Sequence, residues 1–335
     1  RDLRMSRGLG DVYKRQAVDE LAEQMHMDPV RFRELNMSKE GGKFIGYDGS
    51  PWVTSCTLDK CLEKAKQMIG WDEKYPRRDM GNGKIRGVGA ALAMQGSAIA
   101  GVDVGGATIK LGEDGSYTLS LGATDMGTGC DTILAQMAAD CLDTDMKNIV
   151  VFSVDTDISP YDSGSYASST TYVTGKAVEL ACEELKKKLC AIAAGMLGCE
   201  PEETVFEDGC VRKINTDERV TLAQISVKDQ VANDIAAVAT ASHSSPVSPP
   251  PYMVGMVEIE LDRYTGEVKI LDYVAVVDCG IAINPALARI QAEGGIVQGI
   301  GHTLFENITY DETGKPVESL SLIHISEPTR HAQIS

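Results

Sequence analysis

Apolar positions recur through residues 17–36, with Leu21, Ala22, Met25 and Val30 among them and Pro29 interrupting the run. This predicts a helix, and residues 58–69 predict a second. A polar stretch containing Gly and Pro, residues 70–87, reads as a linker. From Gly89 the period changes to two. Residues 108–111 and 116–121 read as strands joined across Gly112-Glu113-Asp114-Gly115, a hairpin signal. Residues 130–142 predict a helix and 149–154 a strand. Residues 174–196 predict a long amphipathic helix with Val178, Leu180, Ala181, Leu185 and Leu189 inward. Its Glu183, Glu184, Lys187 and Lys188 read as a solvated face. A Ser/Pro-rich connection, residues 239–251, precedes two long strands, 254–261 and 268–277, on either side of the turn 262–266. The pattern as a whole predicts an α+β fold with mixed sheets and packed helices.

The most informative stretch closes the chain. An apolar run ends in Asp278-Cys279-Gly280, Asn284-Pro285 breaks the strand, and a helical run follows. That run carries Gln291, Gln298 and four glycines, Gly294, Gly295, Gly299 and Gly301. Each glycine costs a helix roughly 1 kcal/mol against alanine. Close backbone approach to a packed neighbour or a bulky ligand is the usual reason for such a cluster. Gln291 adds an amide that donates and accepts at once. Cys279 reads as a small buried residue and His302 as a helix residue rather than a metal ligand.

Two further segments carry candidate chemistry. Residues 125–132, DMGTGCDT, form a glycine loop entering a helix, suited to a phosphate or to the oxo and sulfido ligands of a metal. An N-cap turn with Thr128 or Thr132 capping is the other reading. Residues 164–175, GSYASSTTYVTG, are dense in hydroxyls and small side chains before a helix; they suit a polyanion, or form an ordinary Ser/Thr-rich loop. A third glycine motif, residues 101–112, looks like the first phosphate loop of actin-fold sugar kinases. No second phosphate loop or later catalytic Asp accompanies it.

The ends of the chain are expected to be foreign. Codons for residues 11–16, DVYKRQ, have a reverse complement that translates to LSLIHI, residues 320–325. A ligated sequencing adapter produces that relation, so residues 1–16 and 320–335 are set aside from fold reasoning. The expected partition is then 17–86, helical with a linker, 87–240, and 241–319 with the glycine-rich helix.

The formal charge is −17. Residues 1–16 carry +3 and 320–335 no net charge, leaving −20 on the remainder. Nucleic acid and anionic membranes are poor partners for that surface. Nine scattered cysteines show neither iron–sulfur nor zinc spacing and suit reduced thiols in a cytoplasm. No apolar run approaches membrane-spanning length.

These motifs together resemble the molybdenum-cofactor-binding large subunit of the xanthine dehydrogenase and aldehyde oxidase family. The family's D-x-G-x-x-x-N-P and following glutamine match Asp278–Pro285 and Gln291, although Ile290 replaces a usual glycine. Its D-x-x-T-G-E/K-V hairpin matches residues 262–268. Its M-G-Q-G loop matches Met126, Gly127, Thr128 and Gly129, with Thr128 in the glutamine's place. Alignment on Gly175 puts cofactor contacts on Ala167, Ser168 and Thr170.

The resemblance implies a molybdenum–pterin cofactor, molybdopterin or its cytosine dinucleotide. It implies oxidative hydroxylation, with oxygen from water, of a purine-like N-heterocycle or an aldehyde. It implies electron transfer to 2Fe-2S and FAD centres on partner subunits or further regions, and an oligomer. No protein side chain is expected to ligate the metal. The family's general-base glutamate is expected in a G-x-x-E-like motif downstream of Glu306, so no catalytic residue is assigned within 17–319, and the chain by itself is expected to be inactive. A non-catalytic cofactor-binding module and a sugar kinase are the alternatives.

Overall fold

The computed structural model describes residues 6–42, 53–153, 155–232, 237–306 and 309–317. Its helices are α1 (Ser6–Gln24), α2 (Pro29–Asn36), α3 (Leu58–Ile69), α4 (Trp71–Lys74), α5 (Cys130–Cys141), α6 (Thr170–Leu197), α7 (Leu222–Ala232) and α8 (Pro285–Leu304). Its strands are β1 (Arg78–Gly81), β2 (Lys84–Met94), β3 (Gly105–Leu111), β4 (Tyr117–Leu121), β5 (Ile149–Phe152), β6 (Thr204–Glu207), β7 (Cys210–Lys213), β8 (Arg219–Thr221), β9 (Val238–His243), β10 (Tyr252–Asp262) and β11 (Val268–Asp278).

Three sheets result, ordered β1-β2-β10-β11, β5-β4-β3-β9 and β6-β7-β8. The first joins distant parts of the chain, because β10 pairs antiparallel with both β2 and β11. Tyr252, Val254, Met256 and Glu258 alternate inward along β10, the period-two pattern of a sheet covered on one face. Leu58, Cys61, Leu62, Ala65 and Ile69 of α3 meet them, with Trp71 at the edge. Glu258 ends the stripe. It is buried and answered by Lys74 Nζ at 2.7 Å and by Arg78.

In the second sheet β4 and β5 are parallel, joined by α5 as the crossover that parallel strands require. α6 lies on the same core with Ala177, Val178, Ala181, Cys182, Leu185 and Leu189 inward. The α+β fold with mixed sheets and packed helices is thus the observed one.

Several boundaries differ from the sequence pattern for identifiable reasons. Residues 17–36 form two helices, not one. His26 takes a φ of 54°, and Asp28 Oδ1 caps the second helix by accepting from the Val30 N–H at 2.7 Å, with Pro29 in its first turn. The other Asp28 oxygen accepts from Trp71 Nε1 at 2.9 Å. The linker of residues 70–87 is α4 followed by the β1–β2 hairpin, turned at Asn82 and Gly83 with φ of 51° and 77°. The Ser/Pro connection begins as β9, paired with β3. The strand of residues 149–154 ends at Phe152, and Val154 lies outside the described residues. α1 extends back from residue 17 to Ser6; residues 318–335 lie outside the described set. Lys188 is not on a solvated face: its Nζ donates to the Val238 carbonyl at 2.8 Å.

Candidate cofactor site

Three segments converge where α5, α6 and α8 begin. The first is residues 125–129. Gly127 and Gly129 take φ of 99° and 77°, so the chain turns sharply into α5. Asp125 fills the turn: Oδ1 accepts from the N–H groups of Gly127 at 2.8 Å and Gly129 at 3.2 Å, and Oδ2 from Asp131 at 3.4 Å. Desolvation opposes the charge, yet these N–H donors outweigh it and hold the carboxyl below the usual carboxylate range.

This answers both sequence readings of the loop. The backbone N–H groups expected to face an anion are turned onto Asp125, and neither Thr128 nor Thr132 caps the helix. What the loop offers outward is Met126, 66% exposed, with Gly127 and Thr128, also exposed.

The second segment, residues 162–170, is braced from behind. Thr174 Oγ1 donates to Asp162 Oδ2 at 2.8 Å, Gly164 N donates to Asp162 Oδ1 at 2.9 Å, and Ser163 N to the Val104 carbonyl at 2.9 Å. The Ala98 N–H donates to the Ala167 carbonyl at 2.9 Å. Held in this way, Ala167 and Ser168 take φ of 54° and 59°, the left-handed region that costs non-glycine residues on the order of 1–2 kcal/mol. Such strain gathers at ligand sites. Thr170 opens α6. No side chain caps this 28-residue helix and no acidic residue lies in its first turn, so its first N–H groups are open to an anion.

The third segment is α8. Asn284 caps it, accepting from Leu287 N at 3.1 Å, and its Nδ2 donates to Gln136 Oε1 of α5 at 3.1 Å. Leu287 lies against Gly129, where an added Cβ would sit 2.9 Å from a Leu287 methyl. Gln291 is one turn further along the same face and is exposed. Gly294, Gly295 and Gly299 follow, and a Cβ at any of them would meet nothing within 4 Å. No residue of α8 is buried. The glycine-rich helix therefore has no packed protein neighbour at these glycines among the described residues. Only Gly301 is covered, by Glu306.

Contacts tie the three segments together. Ser165 Oγ donates to the Thr124 carbonyl at 3.4 Å, joining the second to the first. Leu287 and Asn284 join the third to the first. Met126, Gly127, Thr128, Ala167, Ser168 and Thr170 thus occupy two linked loops, and Gln291 projects from the helix docked on one of them.

Other sequence-level candidates fall elsewhere. Cys279 is exposed, not buried, because it sits in the turn after β11 where Gly280 takes a φ of 69°. Asp278 beside it is a brace, accepting from Thr57 Oγ1 at 2.6 Å and Gly280 N at 3.1 Å. His302 lies exposed on α8, 3.4 Å from Glu306. Gly105 and Gly106 are buried in β3, packed on Thr174 and on Pro160, so the kinase-like motif is a strand. Asp125, Cys130 and Asp131 bring ligand atoms within 4.8 Å of one another. Burial and the two carboxylates push the Cys130 thiol up to about 11, and both carboxylates already accept hydrogen bonds, which suits a capped turn better than a cation. Asp125, the residue that shapes this loop, was missed as a cap; its signal was an Asp two residues before the first glycine of G-x-G.

Residues 64–321 match the family described as Molybdopterin cofactor-binding domain. The chain is 35% identical over 313 residues to the "Probable hypoxanthine oxidase XdhD" of Escherichia coli strain K12, covering 90% of this chain and 32% of that protein. It is 30% identical over 327 residues to the xanthine dehydrogenase molybdenum-binding subunit of Escherichia coli O157:H7, covering 93% and 42%. The quinoline 2-oxidoreductase of Pseudomonas putida 86 shares the fold, with a TM-score of 0.80 at 23% identity over 93% of this chain and 42% of that one. The chain spans about a third to two fifths of the length of these proteins. It belongs to the molybdopterin cofactor-binding family of molybdenum hydroxylases.

Proposed function

We propose that this member of the molybdenum hydroxylase family holds a molybdenum–pterin cofactor between the loops at 126–128 and 167–170 and the Gln291 face of α8. The observation that carries this is the open glycine face of α8: three helical glycines where an added Cβ would meet no neighbour within 4 Å outside the helix's own backbone, among the described residues. Glycines that weaken a helix without admitting a protein neighbour leave room for a flat, bulky ligand. The uncapped start of α6 supplies N–H groups to its anionic part. Gln291 can donate to and accept from a pterin edge, and Thr128 and Ser168 add hydroxyls. Met126, Gly127, Ala167 and Thr170 complete the lining. The α5 start is neutralised by Asp125 and takes no anion.

When bound, the cofactor supplies oxidation of a carbon centre with oxygen drawn from water. The residues of this chain bind and orient it; none is assigned a proton transfer. The substrate we favour is a purine-like N-heterocycle, with an aldehyde second, because the hypoxanthine and xanthine enzymes match at 35% and 30% identity over 90% and 93% of this chain. Partner subunits carrying 2Fe-2S and FAD would receive the electrons, in an oligomer. Nine unpaired cysteines fit a cytoplasmic setting. Among the described residues no helix is long and apolar enough to cross a membrane.

The test is cofactor retention. The chain is loaded with isolated molybdenum–pterin cofactor, desalted, and the pterin measured by fluorescence after oxidation. We expect near-equimolar retention, reduced about tenfold by Gln291→Ala, the loss of about one buried hydrogen bond. Gly295→Leu should abolish it. Equal retention in both variants would overturn the proposal.

A further inference from the structure

The sheet β1-β2-β10-β11 is covered on one face by α3, which packs on Tyr252, Val254 and Met256 of β10. The residues between and beyond these, Met253, Gly255, Val257, Ile259 and Leu261, belong to the other face. None of the five has a polar side chain. Their neighbours continue the pattern. On β2, Ala91, Gly89 and Gly87 stand opposite Gly255, Val257 and Ile259. On β11, Ala275, Tyr273 and Ile270 do. The Tyr273 hydroxyl is the one polar side-chain group among these, and it lies over Gly255, 2.9 Å from where a Cβ would sit. A Cβ on Gly87 or Gly89 would meet nothing within 4 Å, so the β2 side of this face is bare among the described residues.

The second sheet shows how this chain builds a face that meets water. Its positions away from the core are Thr108 and Lys110 of β3, Thr118 and Ser120 of β4, and Thr240 and Ser242 of β9. Antiparallel strands with one wet face alternate apolar and polar in this way. In the first sheet apolar alternates with apolar, the pattern of strands enclosed on both sides.

A second copy of the chain and another part of the same polypeptide could each cover such a face, and area decides between them. β2, β10 and β11 are 11 residues long each. At ~3.3 Å per residue and ~4.8 Å between strands they present roughly 500 Å². Two such faces would bury about 1,000 Å² at full overlap, short of the ~1,200 Å² at which stable interfaces begin. A tethered segment needs less area, because its effective concentration is high. This chain spans 32% of one Escherichia coli relative and 42% of another, so more than half of each lies outside the match.

We propose that the second face of this sheet is an internal interface of the whole large subunit, covered by an amphipathic helix from the part outside this chain. The helix lies with its apolar side on Val257 and Ile259, where Gly87 and Gly89 let its backbone come close. The proposal rests on membership of the family and is independent of the cofactor site.

The test is accessibility. Gly89→Cys is made in this 335-residue chain and in the uninterrupted subunit expressed from the source gene. Maleimide labelling at that position is followed by peptide mass spectrometry. We expect Gly89→Cys in the chain to label as fast as Lys110→Cys on the polar face of the second sheet, and in the subunit about tenfold more slowly, since burial protects a thiol until the cover opens. Ala93→Cys, on the same face, should behave alike and gives the answer if Gly89→Cys does not fold. Equal labelling in chain and subunit would overturn the proposal. So would slow labelling in the chain together with sedimentation as a dimer, which would assign the face to a second copy.

Discussion

Helices α5 and α6 both begin at glycine- or hydroxyl-rich loops beside the candidate site, yet their N-termini are finished in opposite ways. At α5 a carboxylate from the preceding residues occupies the N–H groups. At α6 nothing caps them, and the two residues before the cap are held in left-handed conformations. The same dipole therefore points to a filled site at one helix and an open one at the other. A loop rich in glycine before a helix is not in itself an anion site; its own side chains decide whether the N–H groups remain open.

The largest effect should come from emptying the filled end. Asp125→Ala leaves several N–H groups without their acceptor and should cost about 2–3 kcal/mol, read as a fall in denaturation midpoint. The wild-type contribution should also depend on pH. Because the folded carboxyl titrates below its unfolded value, its stabilisation is present above the unfolded pKa and lost as pH falls through the folded one. Asp125→Ala should therefore flatten part of the acid limb of a stability–pH curve; an unchanged limb would show that the N–H groups do not hold the charge.

Gly129→Ala should cost about 2 kcal/mol. It forces a side chain into left-handed backbone and displaces Leu287, loosening α8 from α5. Limited proteolysis within α8 should accelerate, and an unchanged cleavage rate would disconnect the two elements.

A subtler change makes α6 resemble α5. Thr170→Asp places a carboxylate in the first turn, which should stabilise the helix by about 0.5 kcal/mol while lowering pterin retention. Stability and binding moving together would mean the α6 end does not face an anion. The smallest effect is Ala167→Gly. Relief of a φ of 54° slightly outweighs the added chain entropy, for a gain of about 0.5 kcal/mol. Thermal unfolding would show a rise of a degree or two, and a fall would mean Ala167 is not strained.

Legibility followed the length and regularity of each pattern. The 58–69 helix and the β10–β11 hairpin were plain, because burial on one face imposes a period on a long run. The β1–β2 hairpin was hidden in charged text, since β1 is four residues long and mostly exposed; Asn82-Gly83 was its one local mark. The strands β6, β7 and β8 are three or four residues each, too short for a period to register.

By itself the sequence determined the fold class, the family and the order of the three segments of the candidate site. These depend on local pattern, and local pattern survives in one dimension. The tertiary structure alone decided which helix end stays open, that the α8 glycines face no protein atom among the described residues, and that Asn284 of α8 reaches Gln136 of α5. Each of those depends on which distant side chain arrives at a given backbone group, and sequence spacing carries no record of that.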